Sequence, residues 1–428
     1  MKFGEINRTI RLGIIGLGGR GCGQMETLLD MPDVEIAAVC DVYPDRVANG
    51  VEMVKKARGN DCFGTEDYRQ VNRLDGLNAV VVMSDWSTHA RIAIDAMRCG
   101  KDAAIEVGPA SSVQECWDLV HTVEDTGRIF MFLENQCYED QTLTLLNMIR
   151  SGVFGELVYA SGGYQHDLRD EIGNGDVYRH YRQRNFFHRN GEIYPTHELG
   201  LLAKAVGINR GNRMLSLTAM TSKSAGLHEW FQNHRADRPD LCTQRIAQGD
   251  IAGVMIRCAN GELIQLTHDC TTPHPFCQDL RIQGAKGVWR EISHSVYIEG
   301  ESPNDEWGEA AWESDRRWFE KYRHPLWKAY EKFGMHGGHG GLDYLTLRAF
   351  VEVIQKQAKP PIDVYDAASW MAVGCLSEDS AALGGTPVPI PDFTNGRWLN
   401  REPEPPSWYS LEGIYPEEFE DLIETSLP

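Results

Sequence analysis

The first third of the chain alternates short apolar runs with helix-length segments that are apolar on one face. The apolar runs cover residues 11–16, 34–40, 79–83, 102–105 and 129–133. Between them, helical periodicity marks residues 24–29, 89–99 and 112–126. Strands separated by helices pair in parallel through right-handed crossovers. The pattern therefore predicts a parallel sheet flanked by helices.

The pattern changes after residue 137, where a helix at 141–149 is followed by longer strands of alternating polarity. These strands cover residues 157–164, 214–221, 251–258, 263–270 and 280–283. Alternation is typical of antiparallel sheets with one buried face, and Asn260-Gly261 is typical of a hairpin turn. We predict an α/β protein whose parallel-sheet domain spans residues 1–137 and whose second, α+β domain with a mostly antiparallel sheet spans 138–428. Its last residues, 402–428, are rich in Pro and Glu and are predicted to form an extended tail.

The composition of the 428 residues limits the partners of the protein. The formal net charge is −20, from 42 Lys and Arg against 62 Asp and Glu. So acidic a chain is a poor ligand for nucleic acid or for an anionic membrane. The first residues lack the apolar stretch of a signal peptide, and no run of about 18 apolar residues is present, so we expect a cytoplasmic protein without a membrane span. The eleven cysteines form no C-x-x-C pair, which predicts reduced thiols.

A glycine-rich turn follows the first predicted strand. It reads Gly16-Leu17-Gly18-Gly19-Arg20-Gly21, fits G-x-G-x-x-G, and opens a predicted helix. The glycines let a pyrophosphate approach the backbone, and the helix N-terminus presents free N–H groups to its charge. At the end of the next strand, a carboxylate at Asp41 would accept hydrogen bonds from ribose hydroxyls and repel a 2′-phosphate. This context argues against a glycine turn that binds nothing and predicts NAD, held by Gly16, Gly18, Gly19, Arg20, Gly21 and Asp41.

Several motifs further along the chain resemble one enzyme family. The most specific are Gly162-Gly163-Tyr164-Gln165-His166-Asp167-Leu168-Arg169 and Tyr194-Pro195-Thr196-His197. Supporting segments lie at residues 86–89, 106–107, 134–135, 189–193, 324–327, 338–343 and 363–368. With these, the sequence resembles the glucose–fructose oxidoreductase/inositol dehydrogenase superfamily (Gfo/Idh/MocA) and, more narrowly, glycoside hydrolase family 109. The resemblance implies an N-terminal Rossmann domain, a C-terminal domain with an open-faced sheet, and a homo-oligomer.

The family consists of NAD-dependent α-N-acetylgalactosaminidases, so the resemblance implies cleavage of terminal α-N-acetylgalactosamine or a related hexoside. In that mechanism NAD⁺ oxidises C3 of the sugar, and the ketone acidifies the C2 proton. Loss of this proton expels the group at C1, water adds, and the retained NADH reduces C3 again. The carboxylate pair of ordinary glycosidases is not needed. Acid/base groups close to the C2 and C3 protons are needed.

One predicted strand end separates such a hydrolase from ordinary sugar dehydrogenases of the superfamily. Those dehydrogenases carry Glu-Lys-Pro there, and the Lys assists proton transfer from the hydroxyl being oxidised. This chain has Glu106-Val107-Gly108-Pro109, without the Lys and with an additional Gly108. The absence favours the hydrolase. An NAD-dependent sugar dehydrogenase is the first alternative, and a cofactor-binding sensor without catalysis is the second.

The resemblance also implies roles for single residues. Tyr194 and His197 are the first candidates for acid/base catalysis, because phenol and imidazole both transfer protons and a three-residue spacing places them on one helix face. Tyr164, which ends a predicted strand, is a further candidate catalytic residue. The predicted substrate-binding residues are Tyr164, Arg182, Tyr194 and Tyr322. Besides the glycine turn and Asp41, the cofactor contacts implied by the family are Trp86, His89, Glu106, Val107, Asn135 and His197.

Two departures from the family concern the neighbourhood of the sugar. The family has His-Gly-Leu-Gly-Pro where this chain reads His197-Glu198-Leu199-Gly200-Leu201. Residues 224–248 are additional and fall where substrate contacts are expected. The sequence leaves open which sugar is bound and whether Tyr194 or His197 removes the C2 proton.

Two further residue groups receive a structural interpretation. The tryptophans interpreted as core or oligomer packing, in preference to sugar platforms, are Trp307, Trp312, Trp318 and Trp327. Three histidines lie in one region without a carboxylate at ligand spacing, so no metal site is predicted at His324, His336 and His339.

Overall fold

The computed structural model describes residues 8–402, 404 and 407–412, which form two β-sheets and their helices. The first sheet contains β1 (Ile10–Ile15), β2 (Val34–Cys40), β3 (Phe63–Thr65), β4 (Ala79–Val82), β5 (Asp102–Ile105) and β6 (Phe130–Phe132). The helices between or after these strands are α1 (Gly19–Leu29), α2 (Pro44–Arg58), α3 (Tyr68–Asn72), α4 (His89–Arg98) and α5 (Val113–Thr126).

The first sheet is parallel throughout, in the order β3-β2-β1-β4-β5-β6. Strand β4 reads Ala-Val-Val-Val and all four residues are buried, as expected for a sheet with helices on both faces. The strand order reverses between β1 and β4, which opens a crevice at the carboxyl ends of these strands. The predicted Rossmann fold is confirmed, and the crevice is where a cofactor site is expected.

The second domain contains eleven helices among the described residues. They are α6 (Asp140–Arg150), α7 (Arg169–Gly173), α8 (Gly175–Tyr178), α9 (Arg182–His188), α10 (Thr196–Ala205), α11 (Gly226–His234), α12 (Pro239–Thr243), α13 (Arg316–Tyr322), α14 (Pro325–Phe333), α15 (Leu342–Lys356) and α16 (Val364–Ala382). Its strands are β7 (Leu157–Gln165), β8 (Met214–Thr221), β9 (Ile251–Cys258), β10 (Leu263–Asp269), β11 (Arg281–Gly284), β12 (Gly287–Arg290), β13 (Ser295–Ile298), β14 (Glu313–Ser314) and β15 (Val388–Pro389).

The second sheet has the order β14-β13-β12-β11-β7-β10-β9-β8-β15, and its neighbouring strands are antiparallel except for β7 and β10. Residues along β9 alternate between buried and more exposed, because α10 and α16 cover one face. The other face carries half-buried side chains such as Tyr159, Met255 and Gln265. Gly261 has φ +104 in the turn that joins β9 to β10. The mostly antiparallel open sheet and its Asn-Gly hairpin are confirmed.

Helix α16 connects the two sheets. It packs against α5 and β6 on the side of the Rossmann domain and against β8 on the other side, and residues 366–374 are all buried. Backbone hydrogen bonds support this position, from Phe132 N to Ile362 O and from Ala110 N to Met371 O. The chain thus returns to the first sheet long after residue 137. The boundary drawn there stays a prediction about sequence organisation.

The described part of the predicted tail is packed against the second domain. Trp408, Tyr409 and Leu411 are buried, and Tyr138 Oη donates to Tyr409 O over 3.1 Å. Residues 403, 405, 406 and 413–428 of that tail lie outside the described residues. Within the described part of the chain, no helix is both long enough and apolar enough to cross a membrane. The eleven cysteines are all free thiols.

Two buried carboxyl groups lie under the second sheet. Glu198 in α10 and Glu192 just before it are both fully shielded from solvent. Neither carboxyl oxygen of Glu198 has a hydrogen-bond partner among the described residues. Burial raises the pKa of Glu198 strongly, and the nearby Glu192 raises it further. A carboxyl group in this environment folds in its neutral, protonated form.

Replacing Glu198 therefore changes how stability depends on pH. Because its pKa is raised on folding, the native state holds more protons than the unfolded chain above about pH 4.5, and stability falls as the pH rises, by up to about 1.4 kcal/mol per pH unit. Glu198→Gln removes this slope. We expect its melting temperature to match the parent near pH 5 and to exceed it increasingly towards pH 9.

The matched control is Glu229→Gln, a solvent-exposed position on α11. Its melting temperature should follow the parent at every pH. Parallel curves for Glu198→Gln and the parent across pH 5–9 would show that Glu198 carries no raised pKa.

Candidate active site

The glycine turn between β1 and α1 has the shape of a pyrophosphate cradle. Gly16 has φ +101, and a Cβ there would lie 2.4 Å from the Met83 carbonyl. A Cβ on Gly21 would lie 2.0 Å from Gly16 O, whereas a Cβ on Gly19 would meet nothing within 4 Å. The turn is therefore closed towards the sheet and open at the first residue of α1. Free N–H groups at this helix end fit the charge of a dinucleotide.

Asp41 lies directly after β2, beside the glycine turn. Its Oδ2 accepts from Leu17 N over 2.7 Å, and its Oδ1 accepts from Tyr43 N over 3.0 Å. Arg46 Nη1 is 3.8 Å from Oδ2. These contacts fix the carboxylate at the predicted ribose position.

The second domain reaches across this adenosine end through a set of contacts that we call the adenosine clasp. It consists of Tyr43, Asp45 and Arg46 from the start of α2 and of Tyr178 and Arg179 from α8 and the residue that follows it. Arg179 donates to both oxygens of Asp45 over 2.9 and 2.8 Å, and Arg46 Nη2 donates to Tyr178 O over 3.1 Å. The Cζ atoms of Arg46 and Arg179 lie 4.9 and 4.4 Å from the centre of the Tyr43 ring.

Apart from His197 on α10, the other predicted cofactor residues lie after the carboxyl ends of β4, β5 and β6. Trp86 is buried after β4, and His89 opens α4 with Nε2 2.9 Å from Ser84 O. Burial lowers the pKa of His89, so the ring is neutral. Glu106 Oε2 accepts from Val107 N over 2.7 Å, which turns this carboxylate back onto its own strand end. Arg20 is also held here, because its Nε donates to Glu106 Oε1 over 2.7 Å.

Three of the predicted catalytic and substrate-binding side chains form one cluster. The ring centres of Tyr194 and His197 are 4.9 Å apart, those of Tyr164 and Tyr194 are 4.7 Å apart, and those of Tyr164 and His197 are 5.3 Å apart. Tyr194 also stacks on Trp86 at 5.2 Å. Since Trp86 follows β4 of the Rossmann sheet, the cluster lies where the two domains meet.

Glu134 orients the imidazole of His197. His197 Nδ1 lies 2.6 Å from Glu134 Oε1, and Glu134 is completely buried directly before the turn at 135–138. The carboxylate accepts from Nδ1–H, which leaves Nε2 of the ring as an acceptor. Sequence reasoning used Glu134 only as part of a motif. A signal was present, because Glu134 follows an apolar strand as Asp41 follows β2.

Arg182 places a positive charge against the aromatic rings. Its Cζ lies 4.6 Å from the centre of the Tyr194 ring and 5.1 Å from that of Trp86. Its Nε is 2.8 Å from Glu171 Oε1, whereas its buried Nη1 has no hydrogen-bond partner among the described residues. Burial raises the pKa of Tyr164 and of Tyr194, and the Arg182 cation acts in the opposite direction. Burial is the larger effect, so both phenols hold their protons, and the Arg182 cation is placed to bind sugar hydroxyls.

Tyr322 is placed apart from this cluster. It ends α13, where its ring stacks on Trp318 at 6.3 Å and its carbonyl accepts from Asn147. Phe276 is found next to the cluster, with its ring centre 6.3 Å from that of Tyr164 and 51% of its surface exposed. Sequence reasoning missed Phe276, because it lies in a loop without periodicity.

The additional residues 224–248 support the site from outside. Arg235, directly after α11, donates to Gly173 O over 2.7 Å and pairs with Asp176. Gln248 exchanges two hydrogen bonds with the backbone of Gly191, shortly before Tyr194. These contacts hold the segments that carry Arg182 and Tyr194.

The four tryptophans interpreted as packing residues and the three histidines weighed as metal ligands are spread over the second domain. Trp318 and Trp327 are buried, whereas Trp307 and Trp312 are exposed. His324 caps α14 by accepting from Leu326 N over 3.1 Å. His339 lies 2.8 Å from Asp343, so the statement that no carboxylate stands at ligand spacing was wrong. Within the described residues, His, Cys, Asp and Glu still form no group of three or more that could hold a metal ion.

Comparisons with known proteins cover both domains. A family model for the C-terminal domain of glycosyl hydrolase 109 matches residues 138–400, and a model for the NAD-binding Rossmann fold of an oxidoreductase family (GFO_IDH_MocA) matches residues 10–133. A glycosyl hydrolase family 109 protein from Stenotrophomonas maltophilia strain K279a is 37% identical, over 92% of this chain and 91% of its own. An α-N-acetylgalactosaminidase from Tannerella forsythia is 35% identical, over 94% and 89%.

Solved structures agree on the fold. Levoglucosan dehydrogenase, in complex with NADH and levoglucosan, matches with a TM-score of 0.66 at 17% identity, over 90% of this chain and all of the other. The family models and the relatives together span both sheets and the cluster between them. The chain therefore carries a Rossmann domain for a nicotinamide cofactor and belongs to glycosyl hydrolase family 109.

Proposed function

We propose that this protein is an NAD-dependent glycosidase that cleaves terminal α-N-acetylgalactosamine or a related hexoside. The observation that carries the proposal is the cluster of Tyr164, Tyr194 and His197 at the cofactor crevice, with His197 oriented by Glu134. Val107 stands where the sugar dehydrogenases have their lysine, and its side chain cannot transfer a proton. The relatives named as glycosidases agree with this assignment.

The residues at the crevice fit NAD better than NADP. The carboxylate of Asp41 is held at the ribose position by Leu17 N and Tyr43 N and would repel a 2′-phosphate. When bound, the cofactor supplies reversible oxidation of C3 of the sugar. The open first turn of α1 would hold its pyrophosphate.

The side chains of the cluster provide the proton transfers. His197 presents Nε2 as an acceptor, because Glu134 holds Nδ1. Tyr194 has its phenol beside the Arg182 cation, which favours the phenolate relative to a phenol buried without a cation. The two groups together can remove and return the protons on C2 and on the C3 hydroxyl. The unpartnered Nη1 of Arg182 is available for a sugar hydroxyl.

The proposed partners are a neutral glycoside and a second copy of this chain. A neutral sugar requires no attraction by the net charge of −20. The half-buried face of the second sheet, with Tyr159, Met255 and Gln265, is where we expect copies to meet. The homo-oligomer stays a prediction that light scattering tests directly.

An isotope experiment tests the activity and its route. The protein is incubated with an aryl α-N-acetylgalactosaminide in deuterated water with only catalytic NAD⁺. We expect release of the aryl alcohol and deuterium at C2 of the sugar, because the C2 proton exchanges with solvent during elimination. Mass spectrometry of the sugar and absorbance of the aryl group give the two readings.

Three other outcomes of this experiment would contradict the proposed route or activity. Hydrolysis without deuterium at C2 would rule out elimination. NADH formed in proportion to sugar, without aryl release, would identify a dehydrogenase. Neither signal on a panel of glycosides would leave a cofactor-binding sensor.

Tyr194→Phe removes the phenol and keeps the stack on Trp86. We expect turnover to fall by about 100-fold or more, since positioned acid/base groups contribute about 10²–10⁴-fold. NADH binding, followed by its fluorescence, should stay within about threefold. Tyr68→Phe, at a half-buried position on α3, is the matched control and should keep full turnover, while unchanged turnover in Tyr194→Phe would refute the role of the phenol.

Glu134→Gln tests the orientation of His197. The amide would donate towards Nδ1 and so favour the tautomer with a proton on Nε2, which can no longer accept. We expect kcat to fall about 100- to 10,000-fold with KM nearly unchanged, by analogy with an amide in place of the acid of a catalytic triad. Glu134→Asp should recover part of the lost kcat. Glu229→Gln, at an exposed position, is the matched control and should leave kcat and KM unchanged. If Glu134→Gln and Glu134→Asp lose kcat to the same extent and both melt at a lower temperature than the parent, Glu134 has a structural role only.

A further inference from the structure

Asp343, the second residue of α15, joins three parts of the cofactor site. Its Oδ2 accepts from Arg20 Nη1 over 2.7 Å and lies 2.8 Å from His339 Nδ1. Its Oδ1 accepts from Arg20 Nη2 over 2.9 Å and from Asn135 Nδ2 over 3.0 Å. The side chain is buried although it belongs to the second domain. Burial alone would raise the pKa of Asp343, but hydrogen bonds from His339 and Arg20 outweigh burial and keep the carboxylate charged.

Arg20 is held between two carboxylates in this arrangement. Its Nε donates to Glu106 Oε1 after β5, and both of its Nη atoms donate to Asp343. Such bidentate pairs fix geometry as well as charge. The guanidinium therefore connects the glycine turn to β5 and α15.

The amide of Asn135 has only one orientation next to Asp343. A carboxylate only accepts, so the NH₂ group of Asn135 must face Asp343 and its Oδ1 must point away. This Oδ1 is buried and has no hydrogen-bond partner among the described residues. Gln24 repeats the pattern, because its Nε2 donates to Glu106 Oε1 over 3.1 Å while its buried Oε1 lacks such a partner.

A buried acceptor without a donor is costly, so it indicates a ligand that brings the donor. Asn135 follows β6 at the carboxyl edge, close to Glu134 and His197. At this edge, beside Glu134 and His197, the nicotinamide half of a dinucleotide would lie nearest to the sugar. That half carries an amide N–H₂ and ribose hydroxyls, all of which are hydrogen-bond donors.

We propose that Asp343 is a positioning residue for the nicotinamide half of the cofactor: it fixes the amide of Asn135 so that Oδ1 accepts from an N–H or O–H group of that half. The proposal rests on the proposed use of NAD and extends it to a residue outside the Rossmann domain. Asp343 itself touches Arg20, Asn135 and His339, lies at 3.5 Å from Gln24 Nε2, and acts through Asn135.

Binding measurements on the full chain test this role without any sugar. NADH and ADP are titrated onto the parent and onto Asp343→Asn by calorimetry. ADP contacts the glycine turn and Asp41 but lacks the nicotinamide half. We expect NADH to bind about 10- to 100-fold more weakly to Asp343→Asn, the scale of one or two lost hydrogen bonds involving a charge, and ADP to bind within about threefold of the parent.

A double substitution shows whether the effect passes through Asn135. Asn135→Ala should lose a similar factor for NADH, and Asp343→Asn combined with Asn135→Ala should lose no more than Asn135→Ala alone. Asp379→Asn, at an exposed position on α16, is the matched control and should bind both ligands as the parent does.

Three results would overturn the proposal. They are unchanged NADH affinity in Asp343→Asn, an equal loss for NADH and ADP, and additive losses in the double variant. The proposed function fails differently, because a parent protein that binds NADH but cleaves no glycoside leaves this binding test intact. A parent that binds no NADH refutes both.

Discussion

Helix α16 is enclosed by α5 and β6 of the first sheet and by β8 of the second, and the geometry of the whole site depends on this double burial. A helix that is buried on every side over residues 366–374 cannot slide without exposing apolar surface, at roughly 25 cal/mol for each Å². Its one buried acid in this region, Asp366, is neutralised by Lys204 and Arg210 at 2.9 and 2.6 Å. The two domains therefore share one core, and α10, which carries His197, packs against the same helix.

This shared core sets the distances between site residues that belong to different domains. The 2.6 Å contact between Glu134 and His197 joins the segment after β6 to α10, and the stack of Trp86 on Tyr194 joins the segment after β4 to the segment just before α10. Close packing transmits small shifts through the interior, so a substitution in α16 would act on these contacts from far away. The geometry of the candidate active site is therefore set at the interface between the domains.

Local pattern was enough to predict ten of the fifteen strands, the Asn260-Gly261 hairpin and the glycine turn; β3 and β12 to β15 were missed, because two to four residues are too few to show a period. Because the parallel strands were predicted, the residues that follow them could be placed at the carboxyl edge of the first sheet. Gly16, Asp41 and Asn135 are examples. Asp343 and the pairing of Glu134 with His197 were not found, since periodicity carries no information on contacts between residues far apart in the chain. The same limit explains why Tyr322 was expected in the cluster and Phe276 was not, since their positions depend on how α13 and the loop after β10 pack.

The adenosine clasp lies at the end of the crevice opposite to the proposed entrance for the sugar. It joins α2 to α8 at the outer end of the crevice, through Asp45 with Arg179 and Arg46 with Tyr178, whereas the partly exposed Phe276 marks the sugar side. The proposed mechanism restores its cofactor in every cycle, so the outer end need not open between substrates. In that mechanism the cofactor would act as a prosthetic group, and the rate of sugar cleavage would be independent of the dinucleotide concentration in the surrounding solution.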